Sequence, residues 1–213
     1  MSLDLTAGAV ALTEALVDIE SVSRNEQRLA DAIEAALVGL DHLEVTRIGN
    51  SLVARTGLGH GERVVVAGHI DTVPVHDNLP CRNDGTLLHG LGSCDMKSGD
   101  AVILRLAATV REPVRDVTFI LYEAEEVESE RNGLTHLTAS DRELMRADFA
   151  ILMEPSDAVV EAGCQGTMRV EVSVHGERAH SARSWKGVNA IHRATPILER
   201  LSSYDARMPV IDG

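Results

Sequence analysis

The sequence predicts an α/β fold: a mixed, mostly parallel sheet flanked by helices, followed by the start of an α+β segment. Three observations carry that expectation. Short β-branched and apolar runs over 63–68, 116–122 and 148–153 each suit one fully buried strand. Helical-period stretches precede and separate them, and strands alternating with helices favour parallel pairing. Finally, His69 and Asp71, Glu125 and Glu126, and Glu154 lie at or just past the ends of those runs, where α/β sheets collect their ligands.

Taken in order, Leu5, Ala9, Leu12, Leu16 and Ile19 keep a helical period and predict an amphipathic first helix. Ser23-Arg24-Asn25-Glu26 has the form of a capping box, opening a second helix to about Leu40 with Ala30, Ile33 and Leu37 buried. Runs over 44–48 and 51–55 flank Gly49-Asn50, a hairpin turn signal. The stretch 78–85 is polar and reads as a surface loop. A glycine-punctuated loop, 90–99, delivers Asp95 ahead of a helix over 101–110. Short helical turns are expected over 133–137 and 142–145, and a third buried strand over 148–153. Beyond Gly163, Met168, Val170, Val172 and Val174 alternate with polar residues, the pattern of a half-exposed antiparallel strand. A polar segment with His180 and a helix over 188–201 follow. The expected domains are 1–164 and 165–213.

Composition excludes several function classes. A net charge of −13 argues against nucleic-acid and anionic-membrane partners, which need clustered Lys and Arg. Aromatic residues are only 2%, too few for base-stacking platforms. Cys81, Cys94 and Cys164 form neither a disulfide framework nor a CxxC site and read as incidental thiols in a reducing compartment. No stretch approaches the roughly 20 apolar residues of a membrane helix, and the N-terminus lacks a basic targeting region. The expectation is a cytoplasmic protein.

The acidic and imidazole residues carry the chemistry. His69 and Asp71, two apart on an extended segment, face one side. A metal-bound imidazole usually gives its other N–H to such a carboxylate. Alone, such a pair is more often a structural contact. Glu125 and Glu126 repel each other unless a cation or proton intervenes. One can bind metal while the other takes a proton from water, or both belong to a solvated acidic turn with Glu123, Glu128 and Glu130. Glu154 follows an apolar run and needs a partner, either a cation or an arginine. Asp95 alone could be a helix cap. Together, one imidazole and several carboxylates suit zinc, and more weakly cobalt or manganese. Asp95 then reads as a ligand shared between two ions.

The segments 69–74 (HIDTVP), 92–99 (GSCDMKSG), Glu125-Glu126, Glu154-Pro155 and 176–182 (GERAHSA) resemble the co-catalytic metallopeptidase family that includes succinyl-diaminopimelate desuccinylase, acetylornithine deacetylase and carboxypeptidase G-type enzymes. The resemblance implies a zinc exopeptidase-like sheet domain and the beginning of a lid or dimerisation domain. It implies that His69 and Glu154 bind one Zn2+, Glu126 a second, and Asp95 bridges them, with Co2+ as a possible substitute. Asp71 would orient His69, Glu125 would act as general base, and His180 would stabilise the oxyanion in a partner subunit of a homodimer. Arg178 and Arg183, with Lys186, would hold a substrate carboxylate. Segments 95–102 and 178–185 are most similar to the desuccinylase branch. They imply hydrolysis of N-succinyl-LL-2,6-diaminopimelate to succinate and LL-2,6-diaminopimelate, in lysine and diaminopimelate biosynthesis. The alternatives are acetylornithine deacetylase or another aminoacylase of the family, or an inactive metal-binding fragment. The family pattern closes with a further histidine ligand that has no counterpart here, since His192 falls mid-helix. The expectation is therefore an N-terminal portion with a complete first metal site and an incomplete second.

Overall fold

A computed structural model describes residues 3–163 and 168–210. Two compact units divide the chain, Met1–Val160 and Glu161–Gly213.

The first unit is built on a five-stranded sheet in the order β1-β2-β6-β3-β7. β1 (Glu44–Ile48) and β2 (Ser51–Arg55) form the hairpin expected from Gly49-Asn50, with Ile48 opposite Ser51. Gly49 takes φ +62°, a conformation glycine adopts without a Cβ penalty. β2 runs antiparallel to β6 (Asp116–Tyr122), and β6 runs parallel to β3 (Arg63–His69). β7 (Phe149–Leu152) pairs parallel with the other side of β3. The expected mixed sheet is thus present, with its three parallel strands side by side and two antiparallel pairings at the β1 edge.

Strand alternation assigns the two faces. Leu52, Ala54, Val66, Phe119 and Leu121 point to one side. There they pack on α1 (Ala9–Val17), α2 (Gln27–Val38) and α3 (Lys97–Thr109) through Leu12, Leu16, Ile33, Leu37, Ile103 and Leu104. Val53, Val65, Ala67, Ile120 and Tyr122 point to the other. They meet Leu137 of α4 (Gly133–Ser140) and Leu144 of the 3-10 turn Arg142–Met145. A short hairpin pairs β4 (Arg82–Asn83), inside the stretch expected to be plain loop, with β5 (Leu88–His89), just past it.

Three expectations are corrected. The second helix starts at Gln27, and its N-cap position, Glu26, makes no side-chain cap bond; the Ser23 hydroxyl bonds Asp71 instead. The run ending at Glu154 forms a strand, but not a buried one. Phe149, Ile151 and Leu152 are 64%, 43% and 53% exposed, because among the described residues β7 is an edge strand with no neighbour beyond it. The alternating run over 168–174 forms no strand, since no described residue offers it a ladder. A strand needs a hydrogen-bonding partner, which alternation alone does not supply.

In the second unit, Glu177 bridges Val188, a 3-10 turn spans Ser181–Lys186, and α5 covers Ala190–Ser202. Asn189 caps α5, its Oδ1 accepting from the N–H groups of Ile191 and His192. His192 therefore lies in the first turn, not mid-helix. Cys164 and part of the expected boundary fall outside the described residues.

Candidate metal centre

The carboxyl ends of the three parallel strands converge. β3 delivers His69 as its last residue and Asp71 two positions on, β6 leads to Glu125 and Glu126, and β7 leads to Glu154. Asp95 arrives from the opposite direction, just ahead of α3. That helix can come this close because glycines leave room. A Cβ on Gly68 would lie 2.6 Å from Met96 Cε and Asp100 Oδ1, and one on Gly99 would lie 2.5 Å from the Met153 carbonyl oxygen.

His69 is buried, 1% exposed, with both ring nitrogens engaged. Nδ1 lies 3.1 Å from the Asp71 carbonyl oxygen and 3.3 Å from Asp71 Oδ1. Both are acceptors, so Nδ1 carries the proton. Nε2 faces Asp95 Oδ1 at 3.0 Å and Glu154 Oε1 at 3.9 Å. His69, Asp95 and Glu126 each offer one ligand atom within 4.8 Å of the others. Asp95 and Glu154 are exposed where Asp71 is fully buried, so the group opens to solvent on its acidic side.

Asp71 ties these pieces together. It accepts from the N–H of Glu125 at 2.9 Å, the N–H of Glu126 at 3.2 Å and the Ser23 hydroxyl at 2.6 Å. Burial works to raise its pKa, but His69, Ser23 and these N–H groups hold it below the usual carboxylate range. On His69, burial pushes the imidazole down, yet the bond and charge of Asp71, with Glu154 and Asp100, lift it to about 10. Desolvation first, then Asp95 and Glu125, raise Glu126. Desolvation likewise leads the rise of Glu154, with Asp95, Glu125 and Glu126 adding to it against His69. A cluster of carboxylates that resist ionising together, around an imidazole that holds a proton, fits a divalent cation. Such a cation would take the place of the proton on Nε2 and would screen the carboxylates. The donor set, one nitrogen and several oxygens, matches zinc and its neighbours.

Several residues at the site were not singled out from the sequence. Met96 Sδ accepts the His69 N–H at 3.2 Å. Lys97 is buried, and its Nζ donates to the carbonyls of Leu16 and Ile19 at the end of α1, at 3.1 and 2.8 Å. Burial pulls its pKa down to about 8. Asp100 is fully buried with no hydrogen-bond partner on either oxygen among the described residues, and desolvation raises its pKa well above the ordinary value. Two charges three apart on the buried face of an otherwise apolar helix were the available signal. Ser23 gave none, because its partner lies 48 positions away.

His180, Arg178 and Arg183 belong to the second unit. His180 caps the 3-10 turn, its Nδ1 accepting from the Ala182 N–H at 3.1 Å, and both arginines are exposed. Two surface clefts of about 370 and 300 Å³ share Glu62, Arg63 and Asp148, at the amino ends of β3 and β7, opposite the metal group.

Residues 65–203 match peptidase family M20/M25/M40. The chain belongs to that family. Its M20 relatives include a putative succinyl-diaminopimelate desuccinylase from Mycobacterium tuberculosis, 52% identical over 99% of this chain and 60% of that protein. A succinyl-diaminopimelate desuccinylase from Corynebacterium glutamicum is 48% identical over 99% of this chain and 58% of its own length. The chain thus spans about three fifths of the curated relatives it matches. In structure it is similar to a tripeptidase from Staphylococcus aureus (TM-score 0.66, 19% identity, 94% of this chain and 57% of that one). It is also similar to an aminopeptidase from Bacillus cereus (TM-score 0.60, 18% identity, 93% and 57%). These likenesses bear out the α/β architecture. No described helix is long and apolar enough to cross a membrane.

Proposed function

We propose that this chain is the metal-binding portion of a succinyl-diaminopimelate desuccinylase, which hydrolyses N-succinyl-LL-2,6-diaminopimelate to succinate and LL-2,6-diaminopimelate. The observation that carries the reading is the His69–Asp95–Glu126 group within 4.8 Å, on a chain 52% and 48% identical to two desuccinylases. His69, Asp95 and Glu154 would hold one Zn2+, and Asp95 with Glu126 a second, more weakly held ion; Co2+ would substitute. Such ions, when bound, supply Lewis-acid polarisation of the amide carbonyl and lower the pKa of water.

The side chains do the remainder. Asp71 fixes His69 with Nε2 facing the ion site. Glu125 accepts a proton from the attacking water and returns it to the departing amine nitrogen. In the assembled enzyme, a cytoplasmic homodimer, His180 serves the active site of the partner subunit and donates to the developing oxyanion. Arg178 and Arg183, in the unit read as the start of the lid over 165–213, pair with a substrate carboxylate.

The test measures bound metal and product on the purified chain supplied with Zn2+. One tightly held ion, a second lost on dialysis, and succinate release from the succinylated substrate would support the reading. Acetate release from N-acetylornithine, with no succinate from the other substrate, would move the activity to a sibling enzyme. Absence of any tightly bound ion would overturn the metal centre itself.

A further inference from the structure

The serine of the capping-box pattern serves the metal group rather than the helix. Residues 21–24 run beside residues 70–72, with Val22 bridging Thr72 in parallel. Ser21 Oγ donates to the Ile70 carbonyl at 2.7 Å. The Thr72 N–H donates to the Ser21 carbonyl and the Ser23 N–H to the Thr72 carbonyl, each at 3.0 Å. The next residue, Arg24, donates to both carboxylate oxygens of Glu128, tying the same turn to the loop that carries Glu125 and Glu126.

So placed, Ser23 Oγ reaches Asp71 Oδ2 at 2.6 Å, with a longer 3.3 Å contact to the Thr72 carbonyl. Asp71 Oδ1 then receives the Glu125 N–H and lies 3.3 Å from His69 Nδ1, whose proton bonds the Asp71 carbonyl, while Oδ2 receives Ser23 Oγ and the Glu126 N–H. Three hydrogen bonds and the imidazole contact thus surround the carboxylate. The Ser23 contact is the shortest of these, and among the described residues the 3.2 Å Glu126 contact is the only other hydrogen bond to Oδ2. Carboxylate rotation is otherwise soft, because the terminal torsion of aspartate is broad.

The geometry points to Ser23 as a positioning residue: it locks the Asp71 carboxylate, and through it sets both the His69 ring and the Glu125–Glu126 backbone. Its role towards the cation rests on the metal centre proposed above; its role towards the Glu125 and Glu126 amides does not. The second helix is not at stake, since its N-terminal residue makes no bond to Ser23 and Glu26 Oε1 instead accepts from the Arg24 N–H.

Two measurements on the full 213-residue chain test this, comparing wild type with Ser23→Ala and Ser23→Thr. Titration with Zn2+ should show affinity falling in Ser23→Ala, by up to the roughly 10- to 100-fold cost of losing an outer partner such as Asp71 outright, and recovering in Ser23→Thr. Hydrogen exchange of the metal-free chain should show faster exchange at the Glu125 and Glu126 amides in Ser23→Ala, with the amides of β6 unchanged. Unaltered exchange at those two amides overturns the proposal, whatever the metal result. A wild-type chain that takes up no Zn2+ overturns the metal centre, and the exchange comparison still decides the role of Ser23. Should Ser23→Ala fail to fold, Ser23→Cys, nearly isosteric and a weak donor, takes its place in both measurements.

Discussion

The two units carry similar apolar patterns and meet opposite fates. In the first, α2 presents Leu29, Ala30, Ile33 and Leu37 at a helical period, and all four are fully buried against the sheet. In the second, α5 presents Ile191, Leu198 and Leu201 at comparable spacing, and they are 76%, 58% and 66% exposed. No described residue from Met168 onward is buried. Periodicity states which face a helix can bury. Whether that face is covered depends on an opposing surface, which for α5 the described residues do not provide.

The largest expected effect concerns the metal group. Asp95→Ala should abolish tight cation binding, read by metal analysis, while leaving the circular dichroism of the sheet and helices unchanged, because the Asp95 side chain is 54% exposed. Zinc content equal to wild type would remove Asp95 from the centre of the site. Next comes the comparison itself. Ile33→Ala should cost about 2–5 kcal/mol in denaturant unfolding, as buried truncations do. Leu198→Ala should stay within about 0.5 kcal/mol, as exposed substitutions do. Equal losses would mean that α5 is covered in solution.

A smaller effect is pH-dependent. Burial works to raise the pKa of Asp116, but bonds from Thr56 Oγ1 and the N–H groups of Leu58 and His60, with the Arg63 guanidinium, hold it at about 2. A carboxyl whose pKa is lowered on folding stabilises the native state above its unfolded pKa and loses that stabilisation as pH falls through the folded value. Asp116→Asn should therefore cost about 1–3 kcal/mol near neutrality. The difference from wild type should shrink between pH 4 and pH 2, measured as unfolding midpoints across that range. A difference constant with pH would mean the charge of Asp116 contributes nothing. The smallest effect is local: Asn189→Ala removes the cap of α5 and should cost that helix about 1 kcal/mol, visible as faster amide exchange at Ile191 and His192.

Much of this was legible beforehand. The five strands of the main sheet and the convergence of His69, Asp71, Asp95, Glu125, Glu126 and Glu154 followed from local runs and from where they end, because a parallel strand delivers its last residue to one rim of the sheet. What was not legible depended on partners distant in sequence. Ser23 satisfied a local capping rule but bonded Asp71, and the run over 168–174 satisfied a strand rule but found no ladder. Lys97 and Asp100 were hidden by the rule that charges stay outside.

Gly99 has no side chain with which to bind or react, yet it governs how closely two ligand-bearing segments meet. It lies four residues after Asp95, and a methyl group there would press on the backbone of Met153, directly before Glu154. A neighbour that is main chain cannot simply rotate aside. Enlarging this position by a single carbon would therefore spread Asp95 and Glu154 apart without altering either. A survey of every substitution along the chain, scored by turnover alone, would rank Gly99 beside the acids themselves, and only a structural eye would tell the spacer from the chemists.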